Sequence, residues 1–414
     1  MNTTPVANRL HIGIFGKRNA GKSSFINALT GQSVSIVSPV AGTTTDPVGK
    51  AMEIHGIGPV YIYDTAGIDD TGDLGEMRVT RTKAVMGKIN LAVVVTTAAD
   101  FDERDRALME ELKTRGAKAI LVFNKIDLHP LDGRVASGLD QDGIPFVPVS
   151  CLTGENIDAA RERMTGIAKT LEAERSTIVG DIVGHGELVL LVVPIDLGAP
   201  KGRLILPQVQ VIRDILDNDA AAVVVKEREI EYVLSGLKTP PGLVICDSQV
   251  VLKVSGDLPP GVKLTTFSIL FSRLKGDLAK LIEGVKAIDT LKDRDKVLIC
   301  EACTHHPLPD DIGRVKIPRW VKLYTGKDIT FDVHAGPILD RDISDYKLII
   351  HCGGCMINRA EMLGRIRVTE EKGVPMTNYG LAISHVHGVL RRALSPFPYE
   401  LSLLEDSPGG APTL

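Results

Sequence analysis

LHIGIFGKRNAGKSSFINALTG, residues 10–31, decides the fold of the N-terminal third. LHIGIFG (10–16) is an apolar run of strand type, GKRNAGKSS (16–24) a glycine loop, and FINALTG (25–31) the body of an apolar-periodic helix that Gly31 ends. A strand, the pattern G-x-x-x-x-G-K-S and a helix, in that order, form a phosphate-binding loop. Its glycines let successive backbone N–H groups turn toward phosphate oxygens at the positive end of the following helix. Gly16, Asn19, Ala20, Gly21, Lys22, Ser23 and Ser24 line that loop. Lys22 is expected to reach the β- and γ-phosphates, and Ser23 to ligate Mg²⁺.

The remaining parts of a nucleotide site follow in chain order. VYIYDTAG (60–67) is a strand ending in Asp64, whose carboxylate would hold Mg²⁺ through water while the Gly67 amide meets the γ-phosphate. AILVFNKID (119–127) is a buried strand delivering Asn124, Lys125 and Asp127. A carboxylate that accepts two N–H bonds from a base edge selects guanine, because adenine has no such pair of donors. FVPVSCLTG (146–154) brings Ser150 and Cys151, whose amides would meet the guanine carbonyl, so Cys151 reads as a small loop residue and not as a reactive thiol.

The whole chain of 414 residues exceeds a single core, and at roughly 100–200 residues per domain it has room for about three. Apolar residues at 44% and charged residues at 24% match a folded soluble chain. A net charge of −4 without a long Lys/Arg run argues against nucleic acid as the main partner. MNTTPVANRLHIGIFG (1–16) lacks the organisation of a secretory signal, so a cytoplasmic protein is expected. LVLLVVPI (188–195) falls far short of the ~20 apolar residues of a spanning helix, and no membrane association is expected.

Four of the six cysteines lie in two clusters, VLICEACTHHP (297–307) and KLIIHCGGCMIN (347–358), each at the end of an apolar strand-like run. Parallel neighbouring strands would bring these ends together on one edge of an open α/β sheet, the usual ligand position. Glycines 353 and 354 would let the backbone wrap closely around an ion or cluster and donate N–H to its sulfurs. Three readings are open from the residues alone: buried unreactive thiols, a Zn²⁺ site of three Cys and one His, or an iron–sulfur cluster on Cys303, Cys352 and Cys355. Cys300 and Cys246 lie inside apolar runs and read as core. Residues 176–186 read as a linker, and the segments after it as alternating strand and helix patterns without a catalytic constellation. SILFSRLKGDLAKLIEGVKAI (268–288) and YGLAISHVHGVLRRAL (379–394) read as helices.

Residues 10–175 resemble small GTPases of the TrmE–Era class, through the phosphate loop, AGTTTDP (41–47), DTAG, NKID and SCL. The resemblance implies that Thr44 is the switch threonine closing on Mg²⁺ and γ-phosphate, and that Asn19 helps hold a K⁺ in potassium-activated members. Ile68 stands where Ras-like proteins carry a catalytic Gln, which implies slow intrinsic hydrolysis. Such a GTPase followed by an α/β segment and C-x-H…H-C-x-x-C resembles, over essentially the full length, the [FeFe]-hydrogenase maturation GTPases of the HydF family. That resemblance implies an α/β chain with an N-terminal P-loop GTPase domain (1–175), a middle α/β dimerisation domain (176–265) forming a homodimer, and a C-terminal α/β iron–sulfur cluster domain (266–414). It further implies GTP and GDP, Mg²⁺, K⁺ and a [4Fe–4S] cluster on Cys303, Cys352 and Cys355, with His305 and His351 as the motif histidines. The implied partners are radical-SAM maturases and apo-[FeFe]-hydrogenase, between which a diiron precursor is carried. The competing function is a zinc-containing TrmE–Era-type GTPase of tRNA modification or ribosome assembly.

Overall fold

The computed structural model describes residues 4–31, 49–65, 85–173, 177–194, 204–302, 311–336 and 342–404. Thr44, Gly67, Ile68, Cys303 and His305, all singled out from the sequence, lie outside these described residues. The chain forms two compact units, Met1–Arg175 and Ser176–Leu414.

The first unit is built on β1 (Leu10–Phe15), β2 (Gly49–Ile54), β3 (Gly58–Asp64), β4 (Leu91–Thr97), β5 (Lys118–Asn124) and β6 (Phe146–Pro148) in the spatial order β2-β3-β1-β4-β5-β6. Every pairing is parallel except β2 with β3. β1 and β4 are buried along their whole length, as expected of central strands covered by helices on both faces. The helix Lys22–Thr30 packs Phe25, Ile26 and Leu29 inward, and the helix Glu103–Thr114 starts at an Asp102 capping box closed reciprocally by Asp105.

The second unit holds two four-stranded parallel sheets. One has β7 (Leu188–Val192), β8 (Ala221–Val225), β9 (Leu243–Cys246) and β10 (Lys263–Thr266) in the order β10-β9-β7-β8. The other has β11 (Lys296–Glu301), β12 (Thr330–Ala335), β13 (Leu348–His351) and β14 (Met376–Asn378) in the order β12-β11-β13-β14. The segments read as a middle and a C-terminal domain share one hydrophobic cluster running from Ile178 to Phe397. Residues 176–186, read as a linker from their glycines, belong to it in part: Val179 is fully buried, and the Asp214 carboxylate accepts from the amides of Val179 (2.7 Å) and Gly180 (3.2 Å). Among the described residues no helix is long and apolar enough to cross a membrane.

Two stretches expected as single helices are divided. The first ends at Lys275, runs through extended Gly276, and restarts at Leu278, where the Asp277 side chain caps Lys280 N at 3.1 Å. The second stops at Val386 and resumes at Leu390 beyond Gly388, whose φ of +71° favours glycine.

The helix Leu278–Val285 lies so close to β14 that a Cβ on Gly284 would stand 1.9 Å from Met376 O. Backbone cannot yield as a side chain does, so Gly284→Ala is expected to lower stability by about 1–3 kcal/mol. A lower urea midpoint at unchanged slope would show it; a wild-type midpoint would refute so close an approach.

Candidate functional site

In the first unit, the phosphate loop departs from the C-terminal end of β1 and is held by backbone and by one amide side chain. Gly16 has a φ of +137°, and a Cβ there would stand 2.0 Å from Val95 O, so only glycine lets the loop leave β1 beside β4. Gly21, at φ +93°, sits before the helix Lys22–Thr30, and a Cβ there would meet Asn124 Nδ2 at 2.1 Å. Asn124, buried at the end of β5, donates from Nδ2 to Ala20 O (3.0 Å) and accepts at Oδ1 from the Cys151 amide (3.1 Å). One side chain thereby ties the phosphate loop to the loop after β6. Lys125 donates to Asn19 O at 2.8 Å, and both residues adopt positive φ.

Lys22 Nζ donates to the carbonyls of Gly16 (2.9 Å) and Lys17 (2.8 Å), arching over the loop it serves. Ser23 Oγ lies 3.5 Å from Asp64 Oδ2, which brings the two expected Mg²⁺ residues together at the ends of the helix and β3. Burial raises the Asp64 carboxyl above its ordinary range against the opposing pull of Lys22 and Ser23. Ser150, fully buried, donates to Asp127 Oδ1 at 2.6 Å and fixes the carboxylate read as the base selector. Burial, with Asp127 nearby, pushes the Cys151 thiol up to about 11.

In the second unit, β11 pairs in parallel with β13, and Cys300 faces His351 in the register. The Cys352 amide continues that ladder by donating to Cys300 O (2.8 Å), and the Ala302 amide donates to Cys352 Sγ (3.1 Å). Cys303 follows Ala302 directly in the sequence and lies outside the described residues. Gly354 takes a φ of +62°, and a Cβ there would stand 2.5 Å from Met362 Cε, so the turn between Cys352 and Cys355 needs glycine. Cys300 and Cys246 are fully buried in the core.

His351 is fully buried and engaged at both ring nitrogens. Arg365 can only donate, so Nε2 accepts from its Nη1 at 2.8 Å; the proton then sits on Nδ1, which donates to Cys352 O at 2.6 Å. Burial, then the neighbouring Arg365, pull the imidazole down to about 3 and keep it neutral. In this arrangement His351 holds the cysteine loop and presents no lone pair to a metal.

Three further residues at this site gave no motif. Lys275, 5% exposed, donates to the carbonyls of Gly354 (3.0 Å), Cys355 (3.0 Å) and Ile357 (2.9 Å), and burial brings its ammonium down to about 8. Arg365 bridges His351 and Glu361. The Tyr379 hydroxyl is buried and has no hydrogen-bond partner among the described residues, with Cys352 and Glu301 in its electrostatic surroundings. A signal existed for two of them: Lys275 stands four residues after Phe271, and Arg365 between Met362 and Ile366, each a charge inside an apolar helical stripe.

The first unit has the fold and motif order of a P-loop GTPase of the TrmE–Era class. Models described as the hydrogen maturase F dimerization domain and the hydrogen maturase F tetramerization domain match residues 178–276 and 279–396, and a 50S ribosome-binding GTPase model matches 11–125. The chain belongs to the hydrogen maturase F family.

Among curated proteins, the tRNA modification GTPase MnmE of Symbiobacterium thermophilum is 37% identical over 166 residues, 40% of this chain and 36% of that protein. The MnmE of Chromobacterium violaceum is 34% identical over 157 residues, 37% of this chain and 34% of that protein. The chain spans about a third of the length of these curated relatives. Among solved structures, the G domain of the T. maritima FeoB iron transporter aligns with 39% of this chain and 99% of that one, at 23% identity and a TM-score of 0.32. A variant of Aquifex aeolicus Era bound to GDP.AlF4- aligns with 79% of this chain and 92% of that one, at 17% identity and a TM-score of 0.32.

Thiol reactivity follows from burial. Cys352 and Cys355 are partly exposed, Cys246 and Cys300 are fully buried, and burial with Asp127 nearby pushes the Cys151 thiol up to about 11. Brief iodoacetamide treatment of metal-free protein at pH 7.5, mapped by peptide mass, is expected to label Cys352 and Cys355 and to spare Cys151, Cys246 and Cys300. Labelling of Cys300 ahead of Cys352 would overturn the arrangement.

Proposed function

We propose that this chain hydrolyses GTP with its first unit and serves through its second as a scaffold and carrier in [FeFe]-hydrogenase maturation. On this reading it holds a [4Fe–4S] cluster on Cys303, Cys352 and Cys355, receives a diiron precursor from radical-SAM maturases and delivers it to apo-hydrogenase. The observation that carries the reading is the meeting of the two cysteine segments across β11 and β13, with the Ala302 amide on Cys352 Sγ, in a family named for hydrogen maturation.

The donor set fits a metal–sulfur group. Thiolates are soft ligands, an amide already aims at one sulfur, glycine opens the turn between Cys352 and Cys355, and the buried Tyr379 hydroxyl has an unused donor. When bound, such a cluster supplies iron centres, one of which lacks a cysteine and can exchange its ligand with the cargo.

For GTP, the loop residues Gly16 to Ser24 would cradle the phosphates, and Lys22 would release its two carbonyls to reach them. Ser23 and Thr44 would ligate Mg²⁺ with Asp64 behind a water, the Gly67 amide would meet the γ-phosphate, and Asn19 would help hold K⁺. Asn124, Lys125, Asp127, Ser150 and Cys151 would hold guanine. Hydrolysis is slow and stimulated by K⁺, and the protein works in the cytoplasm. Self-association suits the matched dimerization domain: among the described residues β8 lies at the edge of its sheet, with Val224 43% exposed.

Full-length protein reconstituted without oxygen is expected to carry about four irons and four sulfides per chain with an EPR signal on reduction, lost in Cys303→Ala/Cys352→Ala/Cys355→Ala, and to run in light scattering as more than one chain. Stoichiometric zinc with no iron signal would turn the cysteines into a structural clasp and return the chain to a GTPase of another pathway. For the first unit, Asn19→Ala is expected to remove the K⁺ stimulation of GTP hydrolysis while leaving the rate in Na⁺ unchanged; undiminished stimulation would free Asn19 from that role.

A further inference from the structure

Lys275 ends the helix Phe267–Lys275, and its position has an electrostatic gap. A buried ammonium is expected to have a negative partner or to neutralise, because removing the ion from water is costly. Lys275 is buried, yet among the described residues no carboxylate pairs with it. The buried Arg365 is paired with Glu361 at 2.8 Å, and the buried Glu301 carboxylate is paired with the partly exposed Arg314 at 2.8 Å. Nor is Lys275 needed to cap its own helix, since Arg359 Nη1 covers the terminal carbonyls of Leu274 (2.7 Å) and Gly276 (3.2 Å).

All three ammonium protons go instead to carbonyls of the cysteine loop, those of Gly354, Cys355 and Ile357. In a trans peptide the N–H points opposite to the C=O. Drawing the carbonyls of Gly354 and Cys355 onto Lys275 therefore turns the amides of Cys355 and Met356 to the other side of the loop. Among the described residues neither amide has an acceptor. The loop thus offers two outward N–H groups and, behind them, an ammonium that no carboxylate pairs among the described residues, 5.6 Å from the Phe271 ring centroid and with Cys355 and Cys352 in its electrostatic surroundings.

We infer that Lys275 is a positioning residue for a bound anionic metal–sulfur cluster: it fixes the Cys352–Cys355 loop through three carbonyls, turns two amides toward the cluster, and supplies the positive charge that balances thiolates and sulfides. The inference rests on the cluster reading of the cysteines. A purely structural lysine would support the loop and leave the cluster's electron affinity alone. A fixed positive charge favours the more negative, reduced cluster, so its removal makes the reduction potential more negative.

Full-length wild type, Lys275→Gln, Lys275→Met and Lys275→Arg are reconstituted anaerobically with iron and sulfide. Iron content, midpoint potential followed by EPR, and the rate of iron loss to a chelator are then measured. Lys275→Gln keeps donors for the loop and removes the charge. It is expected to load iron, to have a more negative potential, and to lose iron about tenfold faster than wild type, with Lys275→Met at least as affected and Lys275→Arg close to wild type. A Lys275→Gln protein with wild-type potential and wild-type iron loss at full iron content overturns the role of Lys275 and leaves the cluster reading standing. A Lys275→Arg protein displaced as far as Lys275→Gln overturns it as well. Wild type that takes up no iron overturns the cluster reading itself.

Discussion

The parallel register that sets Cys300 of β11 opposite His351 of β13 governs the C-terminal site. Because the two strands run the same way, both cysteine segments emerge at the same sheet edge. The ladder carries on by one more bond, Cys352 N to Cys300 O, and places Cys352 Sγ under the Ala302 amide. Shifting either strand by one residue would turn its side chains to the opposite face and separate the sulfur from that amide. β14 on the other side of β13 pairs Asn378 with His351, which sets Tyr379 at the level of the residue after His351, Cys352. The burial of Leu348, Ile349 and Ile350 fixes this register far more strongly than any contact made by the thiols themselves.

The two candidate sites share a design although their chemistry differs. In each, a loop leaves the C-terminal end of a central parallel strand, where ligands of open α/β sheets are held. A buried polar side chain from a neighbouring element then fixes the loop through its backbone: Asn124 on Ala20 O in the first unit, Lys275 on Gly354, Cys355 and Ile357 in the second. A neutral amide suffices beneath a loop whose own helix N-terminus draws anions. In the second unit the helix Arg359–Glu371 follows the cysteine loop, with Asn358 capping its N-terminus, and the ammonium of Lys275 holds the loop through its carbonyls.

How much of this could be read from the sequence follows the physics of each signal. Apolar strands bounded by glycine or by ligand residues were legible: LHIGIFG contains all of β1, AILVFNKID all of β5 but Lys118, and VLICEACTHHP all of β11 but Lys296. In KLIIHCGGCMIN the strand ends at His351, just before Cys352 and the two glycines, as the apolar run indicated. The breaks at Gly276 and Gly388 were hidden by helix-like periodicity on both sides, and only the Asp277 cap and a positive φ reveal them. Glycines disguised 176–186 as a linker, while Ile178 and Val179 enter the core. The nucleotide residues were legible because their spacing is local. Lys275 and Arg365 act on residues 79 and 14 positions away, and nothing local announces such a partner.

One feature of the second unit bears on how this protein is handled. Among the described residues one apolar cluster runs from Ile178 to Phe397 and takes in both segments matched by the two hydrogen maturase F domains. A gene fragment ending near residue 276 would leave half of an interior facing water. The two sheets therefore depend on each other for burial: loosening one exposes apolar surface of the other.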